Sequence, residues 1–196
     1  MTKIVGVLAL QGDFQEHIAS LRRLGAETRE VRTDVQLASV DSLIIPGGES
    51  TSMAKLMDIY GLRDPLRSFA LSGRPVWGTC AGLILLSSRL QEHRPVPLGI
   101  MATVVQRNGF GRQVDSFETD LDIAGVEGGA YHAVFIRAPR IIEIGSSVEI
   151  LATLADGTIV AARERNIFVT AFHPELTTDD RLHRFFLDMS VEVTER

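Results

Sequence analysis

The stretch Val76-Trp77-Gly78-Thr79-Cys80-Ala81-Gly82-Leu83 constrains the fold of this chain more than any other. An apolar run ends at Gly78, the chain's one cysteine follows, and beyond Gly82 comes the run Leu83-Ile84-Leu85-Leu86. This order reads as a buried strand, a very tight turn and a buried helix, with Cys80 at the apex. Glycines on either side let strand and helix approach without Cβ clashes, and Gly-x-Cys-x-Gly is the thiol version of a nucleophile elbow. A helix starting at the turn aims free N–H groups at the sulfur, which favours the thiolate. Taken alone, a single cysteine among apolar residues is more often a small buried hydrophobe. The rest of the chain has to decide.

The first half alternates strand and helix signals. Ile4 to Leu10 is apolar on both faces, as a central parallel strand requires. Gln11-Gly12-Asp13 breaks it, and Phe14, Ile18 and Leu21 follow at helical spacing up to Gly25. A short strand at Thr28 to Val31 precedes Ser42-Leu43-Ile44-Ile45, a buried strand stopped by Pro46-Gly47-Gly48. Met53, Leu56, Met57 and Tyr60 mark a helix that starts near Ser50 to Ser52. Leu62 to Leu71 reads as a further helical piece, broken by Pro65 near its start. In the second half, strand signals at Met101 to Val105, Phe117 to Leu121, Val134 to Ile136, Ile150 to Leu154 and Ile159 to Ala162 have no helices between them. Asp156-Gly157 reads as a hairpin turn. Ile167 to Phe172 is another buried strand, and Leu182, Phe185, Phe186 and Met189 line one face of a C-terminal helix. The expected fold is α/β: a mostly parallel sheet with helices on both faces and added antiparallel strands. With no repeat or linker, residues 1–196 read as one domain.

Composition excludes several functions. A net charge of −5 with dispersed basic residues offers no nucleic-acid surface. The N-terminal apolar run is too short for a membrane span and has no cleavage-site pattern. One cysteine rules out an internal disulfide and fits a reducing cytoplasm.

Two further stretches carry chemistry. His173-Pro174-Glu175 ends a buried strand. Residues i and i+2 of extended chain point to one side, so a carboxylate can hold one imidazole nitrogen and leave the other for a thiol. A strand-end histidine beside a solvated glutamate is the commoner fate of such a triplet. Here, however, it falls on the same carboxyl edge as Cys80, where ligand sites of open α/β sheets form. Pro46-Gly47-Gly48-Glu49-Ser50 also follows a buried strand. Its backbone N–H groups, with that of Ala81, are candidates for an oxyanion hole at Gly47, Gly48 and Ala81. The plainer reading is a Gly-rich turn capped by Ser50 or Thr51.

Pro-Gly-Gly-Glu-Ser, Gly-Thr-Cys-Ala-Gly and a late His-Pro-Glu, in that order, resemble class I, triad-type glutamine amidotransferase domains, a flavodoxin-like fold. Leu8-Ala9-Leu10-Gln11-Gly12 with Glu16-His17, the run from Arg107 to Glu118, and Val134-Phe135-Ile136-Arg137-Ala138-Pro139 narrow the resemblance. They are similar to the glutaminase subunits of pyridoxal 5′-phosphate synthase. The likeness spans nearly the whole chain. Gly109 stands where that family often has serine.

The resemblance implies hydrolysis of L-glutamine to glutamate and ammonia. Cys80 would be the nucleophile, His173 the base and Glu175 its orienter, with no cofactor and no metal. Gly48, Glu49, Ser50, Arg107, Ile136 and Arg137 would contact glutamine. Arginine is also the side chain best suited to a free carboxylate. Ammonia would pass to a barrel-shaped synthase subunit, met through the Gln11 to His17 surface. His17 is expected at that interface or on the helix surface, His183 on the polar side of its helix, and His93 and His132 in structural or exposed positions. Trp77 is expected in the core. A glutaminase of another pathway is disfavoured by the Asn-Gly-Phe-Gly-Arg and Phe-Ile-Arg-Ala-Pro stretches. An inactive binding module would have lost Cys80, His173 or Glu175. A cysteine-elbow peptidase would have no use for Pro-Gly-Gly-Glu-Ser.

Overall fold

The computed structural model describes residues 3–109 and 116–192, so Phe110 to Asp115 of the run quoted above lie outside the described residues. The first half comprises β1 (Ile4–Leu8), α1 (Phe14–Arg23), β2 (Glu27–Val31), α2 (Asp34–Ala38), β3 (Ser42–Ile45), α3 (Ser50–Ile59), α4 (Arg63–Leu71), β4 (Val76–Thr79) and α5 (Ala81–Leu86). The second half comprises β5 (Ser87–Leu90), β6 (Met101–Gln106), β7 (Ser116–Leu121), β8 (Tyr131–Ile136), β9 (Arg140–Ile144) and β10 (Glu149–Thr153). It continues with β11 (Ile159–Glu164), β12 (Ile167–Thr170), a 3-10 turn at Pro174–Leu176, and α6 (Arg181–Glu192).

The main sheet runs β2-β1-β3-β4-β12-β11-β9-β6-β5, with β10 added on β11. Strands β2, β1, β3, β4 and β12 are mutually parallel. This is the strand order of a doubly wound, flavodoxin-like sheet, whose ligand edge lies at the carboxyl ends. β3, β4 and β12 are buried along their whole length, which explains their mostly apolar sequences. β11 and β9 run antiparallel to their neighbours, whereas β5 pairs parallel with β6.

Alternation along β4 shows that helices cover both faces. Trp77 lies against His17 of α1 and against His183 and Phe186 of α6. Its neighbour Gly78 points the other way: a Cβ there would stand 2.6 Å from the Gly82 backbone and 2.7 Å from Leu86, both on α5. A Cβ on Gly82 would fall 2.1 Å from the Ile45 carbonyl oxygen, so both elbow glycines are demanded by close approach.

Several details differ from the sequence reading. α4 is continuous through Pro65, because a proline in the first turn gives up only an N–H that has no helical partner. β7 and β8 do not join the main sheet. They form a separate antiparallel ribbon, with Phe117 stacked on Phe135 at 4.4 Å. The ribbon is tied to the chain after β12 by a His173 N–H to Val134 carbonyl bond of 2.8 Å. The strands β5 and β9 and the helix α2 had no sequence assignment. Among the described residues no helix is long and apolar enough to cross a membrane.

Candidate active site

The carboxyl ends of β1, β3, β4 and β12 bring the nominated residues together. β12 pairs with β4 up to Thr170 opposite Thr79, and the Cys80 N–H then bonds the Thr170 carbonyl at 2.9 Å. This places the residue after β4 next to the residues that follow β12. Cys80 has φ 47° and ψ −97°, a strained conformation for a residue with a Cβ. The neighbouring strands hold it there, and it is 6% exposed. α5 begins at Ala81, directly after Cys80, and has 6 residues.

His173 Nδ1 lies 2.8 Å from Glu175 Oε1, and the ring also hydrogen-bonds Cys80. The short Pro174–Leu176 turn lets the two side chains meet. Burial disfavours the charged ring, but the bonds to Cys80 and Glu175 outweigh it and carry His173 up to about 10. For Glu175, burial pushes the carboxyl up and the bond to His173 pulls it back. His173 thus stands between the Cys80 sulfur and the Glu175 carboxyl. Cys80, His173 and Glu175 thus stand in the order expected of a nucleophile, a base and an orienting acid.

In front of Cys80 lies a cleft of about 420 Å³. Gly48, Glu49, Ser50, Cys80, Arg107, Ile136, Arg137 and His173, all nominated from sequence, border it. Glu175 and Ala81 are buried behind it. Gly47 packs under the His173 ring, with space for no side chain: a Cβ would stand 2.5 Å from Cε1. The Gly47 carbonyl accepts from the Asp13 N–H at 3.1 Å, so the planar Gly47–Gly48 peptide turns its N–H to the opposite side. Glu49 caps α3 by accepting from the N–H groups of Thr51 and Ser52 at 3.0 and 2.7 Å. Burial opposes its charge, yet these bonds hold it down to about 2. Arg107 reaches Glu49 at 3.3 Å, so one wall of the cleft carries a fixed anion beside a fixed cation. Arg137, with φ 43°, follows β8, and the Ile136 carbonyl oxygen is 4.0 Å from Cys80 Sγ.

The sequence reading missed Asp13, Gln11 and Asn108, which also line the cleft. Asp13 Oδ2 is 3.6 Å from His173 Nδ1, and Gln11 Oε1 accepts from the Glu49 N–H at 2.9 Å. For Gln11 and Asp13 the signal was the Gln11-Gly12-Asp13 break after β1, at the same sheet edge. Asp13, His173 and Glu175 each bring a donor atom within 4.8 Å of the others. The 2.8 Å His173–Glu175 bond engages two of those atoms. The two helix histidines need correction. His17 and His183 are both fully buried, and their ring nitrogens meet at 2.9 Å where α1 packs on α6. His132 is exposed, between Glu118 and Asp120, and His93 is exposed. Trp77 lies in the core as expected. At Gly109 a Cβ would fall 2.2 Å from Arg140 Cγ, so a serine there would need Arg140 to move.

Sheet order, elbow and the facing His–Glu pair define a doubly wound α/β protein with the constellation of a thiol hydrolase. Comparison with known proteins makes this specific. Residues 7–192 match the SNO glutamine amidotransferase family. A Dehalococcoides mccartyi protein named pyridoxal 5′-phosphate synthase subunit PdxT is 53% identical over 188 residues, covering 95% of this chain and 96% of its own. The protein of that name from Mycobacteroides abscessus is 53% identical over 191 residues, covering 96% and 98%. A crystal structure of a glutamine amidotransferase superposes with TM-score 0.90 at 47% identity, covering 95% of this chain and 98% of that one. The chain belongs to the SNO glutamine amidotransferase family.

Proposed function

We propose that this chain is the glutaminase subunit of a pyridoxal 5′-phosphate synthase, hydrolysing L-glutamine to glutamate and ammonia. The observation that carries the chemistry is His173, bonded to Glu175 at 2.8 Å and set beside Cys80. Cys80 Sγ attacks the side-chain amide carbon. The Gly48 and Ala81 N–H groups stabilise the resulting oxyanion. His173 gives its proton to the departing nitrogen, and ammonia leaves a thioester on Cys80. His173, now neutral, takes a proton from water as it attacks the thioester. Collapse then releases glutamate and restores Cys80 and His173. Arg107 and Arg137 suit the substrate's α-carboxylate, and the Glu49 carboxylate suits its α-ammonium. Ser50 and Ile136 complete the pocket. These roles need no resident cofactor or metal. A thiol nucleophile suits a cytoplasmic setting.

The names of the relatives support a synthase subunit as partner, and we assign it a barrel that receives the ammonia. The docking surface proposed is the start of α1, where Gln15 and Glu16 are exposed and His17 is not. Two bonds link this region to the substrate wall: Asp13 N–H to the Gly47 carbonyl, and Glu49 N–H to Gln11 Oε1. A partner that favours the productive Gly47–Gly48 orientation would raise turnover by its differential affinity. The test is ammonia release from glutamine while the synthase subunit is titrated in. Low activity alone and saturable activation is the expected result. Full activity of the free chain would remove the switch but leave the triad. Absence of ammonia under all conditions would remove the function.

A further inference from the structure

Behind the triad lies a buried polar row that the hydrolytic steps do not use. Glu175 has two carboxylate oxygens. Oε1 accepts from His173, whereas Oε2 is buried and has no well-formed hydrogen bond. His17 Nε2 stands 3.3 Å from Oε2, with both side chains fully buried. The same nitrogen is 3.2 Å from Thr79 Oγ1, and His17 Nδ1 is 2.9 Å from His183 Nε2. Trp77 closes edge-on against both imidazoles, with centroid distances of 5.6 and 5.0 Å.

The acceptors decide where the protons sit. A carboxylate oxygen only accepts, so the His17 proton belongs on Nε2. Its Nδ1 then accepts from His183 Nε2–H, leaving an unprotonated Nδ1 on His183, buried and without a partner. The opposite tautomers would orphan an N–H there and turn a lone pair toward Glu175, which is costlier. Burial, then His183, then His173 push His17 well below 6.5, and burial holds His183 at about 4. Burial thus favours the neutral form of both rings. A glutamate's terminal torsion is broad, so one hydrogen bond does not fix its carboxylate plane.

We infer that His17, held by His183, is a positioning residue of the triad: its Nε2–H, which Thr79 Oγ1 also meets at 3.2 Å, faces Glu175 Oε2 at 3.3 Å and steadies the carboxylate whose Oε1 orients His173. This rests on reading Cys80, His173 and Glu175 as the hydrolytic triad.

The test uses the full chain with its synthase partner for turnover, and the full chain alone for alkylation of Cys80 by iodoacetamide. His17→Leu is expected to lower kcat about 10- to 100-fold, with KM for glutamine changed less than about twofold. His17→Gln keeps an N–H near the place of Nε2 and is expected to recover most of the loss. In a Glu175→Gln background, His17→Leu is expected to have no further effect, because the carboxylate it positions is gone. Equal slowing in both backgrounds would mark a merely structural residue and overturn the inference. Unchanged kcat in His17→Leu, or His17→Gln as slow as His17→Leu, would do the same. Should His17→Leu fail to fold by circular dichroism, His183→Leu carries the same comparison, since it removes the anchor of His17. Alkylation reads the Cys80–His173 geometry without glutamine. If His17→Leu slows it while no form of the chain hydrolyses glutamine, the positioning stands and the glutaminase reading fails. If alkylation is unaffected, the positioning fails.

Discussion

Gly47→Ala is expected to disable catalysis while leaving the chain folded. A Cβ at this position would stand 2.5 Å from His173 Cε1, 2.8 Å from Nδ1 and 3.3 Å from Glu175 Oε1. Carbon atoms in good contact sit at about 3.5–4.0 Å, so the ring must withdraw by roughly 1 Å. His173 and Glu175 are each 5% exposed, so the ring cannot swing into solvent and must give up its alignment with Cys80 or Glu175. A displacement of that size costs on the order of a hundredfold in rate, about 3 kcal/mol of transition-state stabilisation. Gly47 is not among the residues with positive φ, so alanine adds no backbone strain there. The assay is ammonia release with saturating synthase subunit, beside thermal melting and the rate of Cys80 alkylation. Turnover and alkylation should fall together, with the melting temperature lowered by a few degrees at most, as a loss of about 1 kcal/mol would give. Parallel loss separates a displaced His173 from a damaged oxyanion hole, which alkylation does not need. Wild-type turnover in this variant would refute the placement of His173 as the base.

Other outcomes follow from the same geometry. His173→Asn should cost as much activity as losing the nucleophile, whereas Glu175→Gln should cost less, as steady-state turnover of the two will show; equal turnover of Glu175→Gln and wild type would make Glu175 structural. Acid should destabilise the fold through His183, which is held at about 4 against 6.5 when free. The unfolded chain binds a proton that the folded chain refuses, so this contribution is whole above pH 6.5 and is lost as pH falls toward 4, by about 3 kcal/mol, with His17 acting in the same direction. Urea unfolding at pH 7 and pH 4.5 measures it, and a stability that did not fall would mean the pair is not buried neutral. Gly82→Ala should lose about 3 kcal/mol in urea unfolding, because its Cβ would press to 2.1 Å on the Ile45 carbonyl oxygen, a backbone atom that cannot step aside.

The candidate triad was legible because each piece is short, local and close to a strand end. Gly78 and Gly82 declare a close approach, whereas His173 and Glu175 meet through a 3-10 turn and not, as expected, along extended chain, since β12 ends at Thr170. The parallel core was legible because β3, β4 and β12 are mostly apolar, with one small hydroxyl residue each at an end (Ser42, Thr79, Thr170). Pairing across long separations was not. Nothing in Ser116 to Leu121 says that β7 will pair only with β8, and β5 follows α5 without a turn signal to mark it. The buried histidines show the limit most clearly. His17 and His183 each sit in an amphipathic helix beside apolar neighbours, and each alone reads as a surface residue. Only the packing of α1 on α6, 166 residues apart at this contact, makes them one buried pair. Asp13 was hidden for a related reason: it follows β1, and its nearness to His173 comes from β1 and β12 ending on the same edge of the sheet.

The central claim is that Cys80 is the nucleophile of a glutamine-hydrolysing triad. A glutamine analogue with an electrophilic side chain, followed by peptide mapping, tests it most directly. The expected result is a single adduct on Cys80, formed more slowly when glutamine is present, with no labelling and no ammonia release in Cys80→Ala. An adduct elsewhere, or glutamine hydrolysis that survives Cys80→Ala, would contradict it.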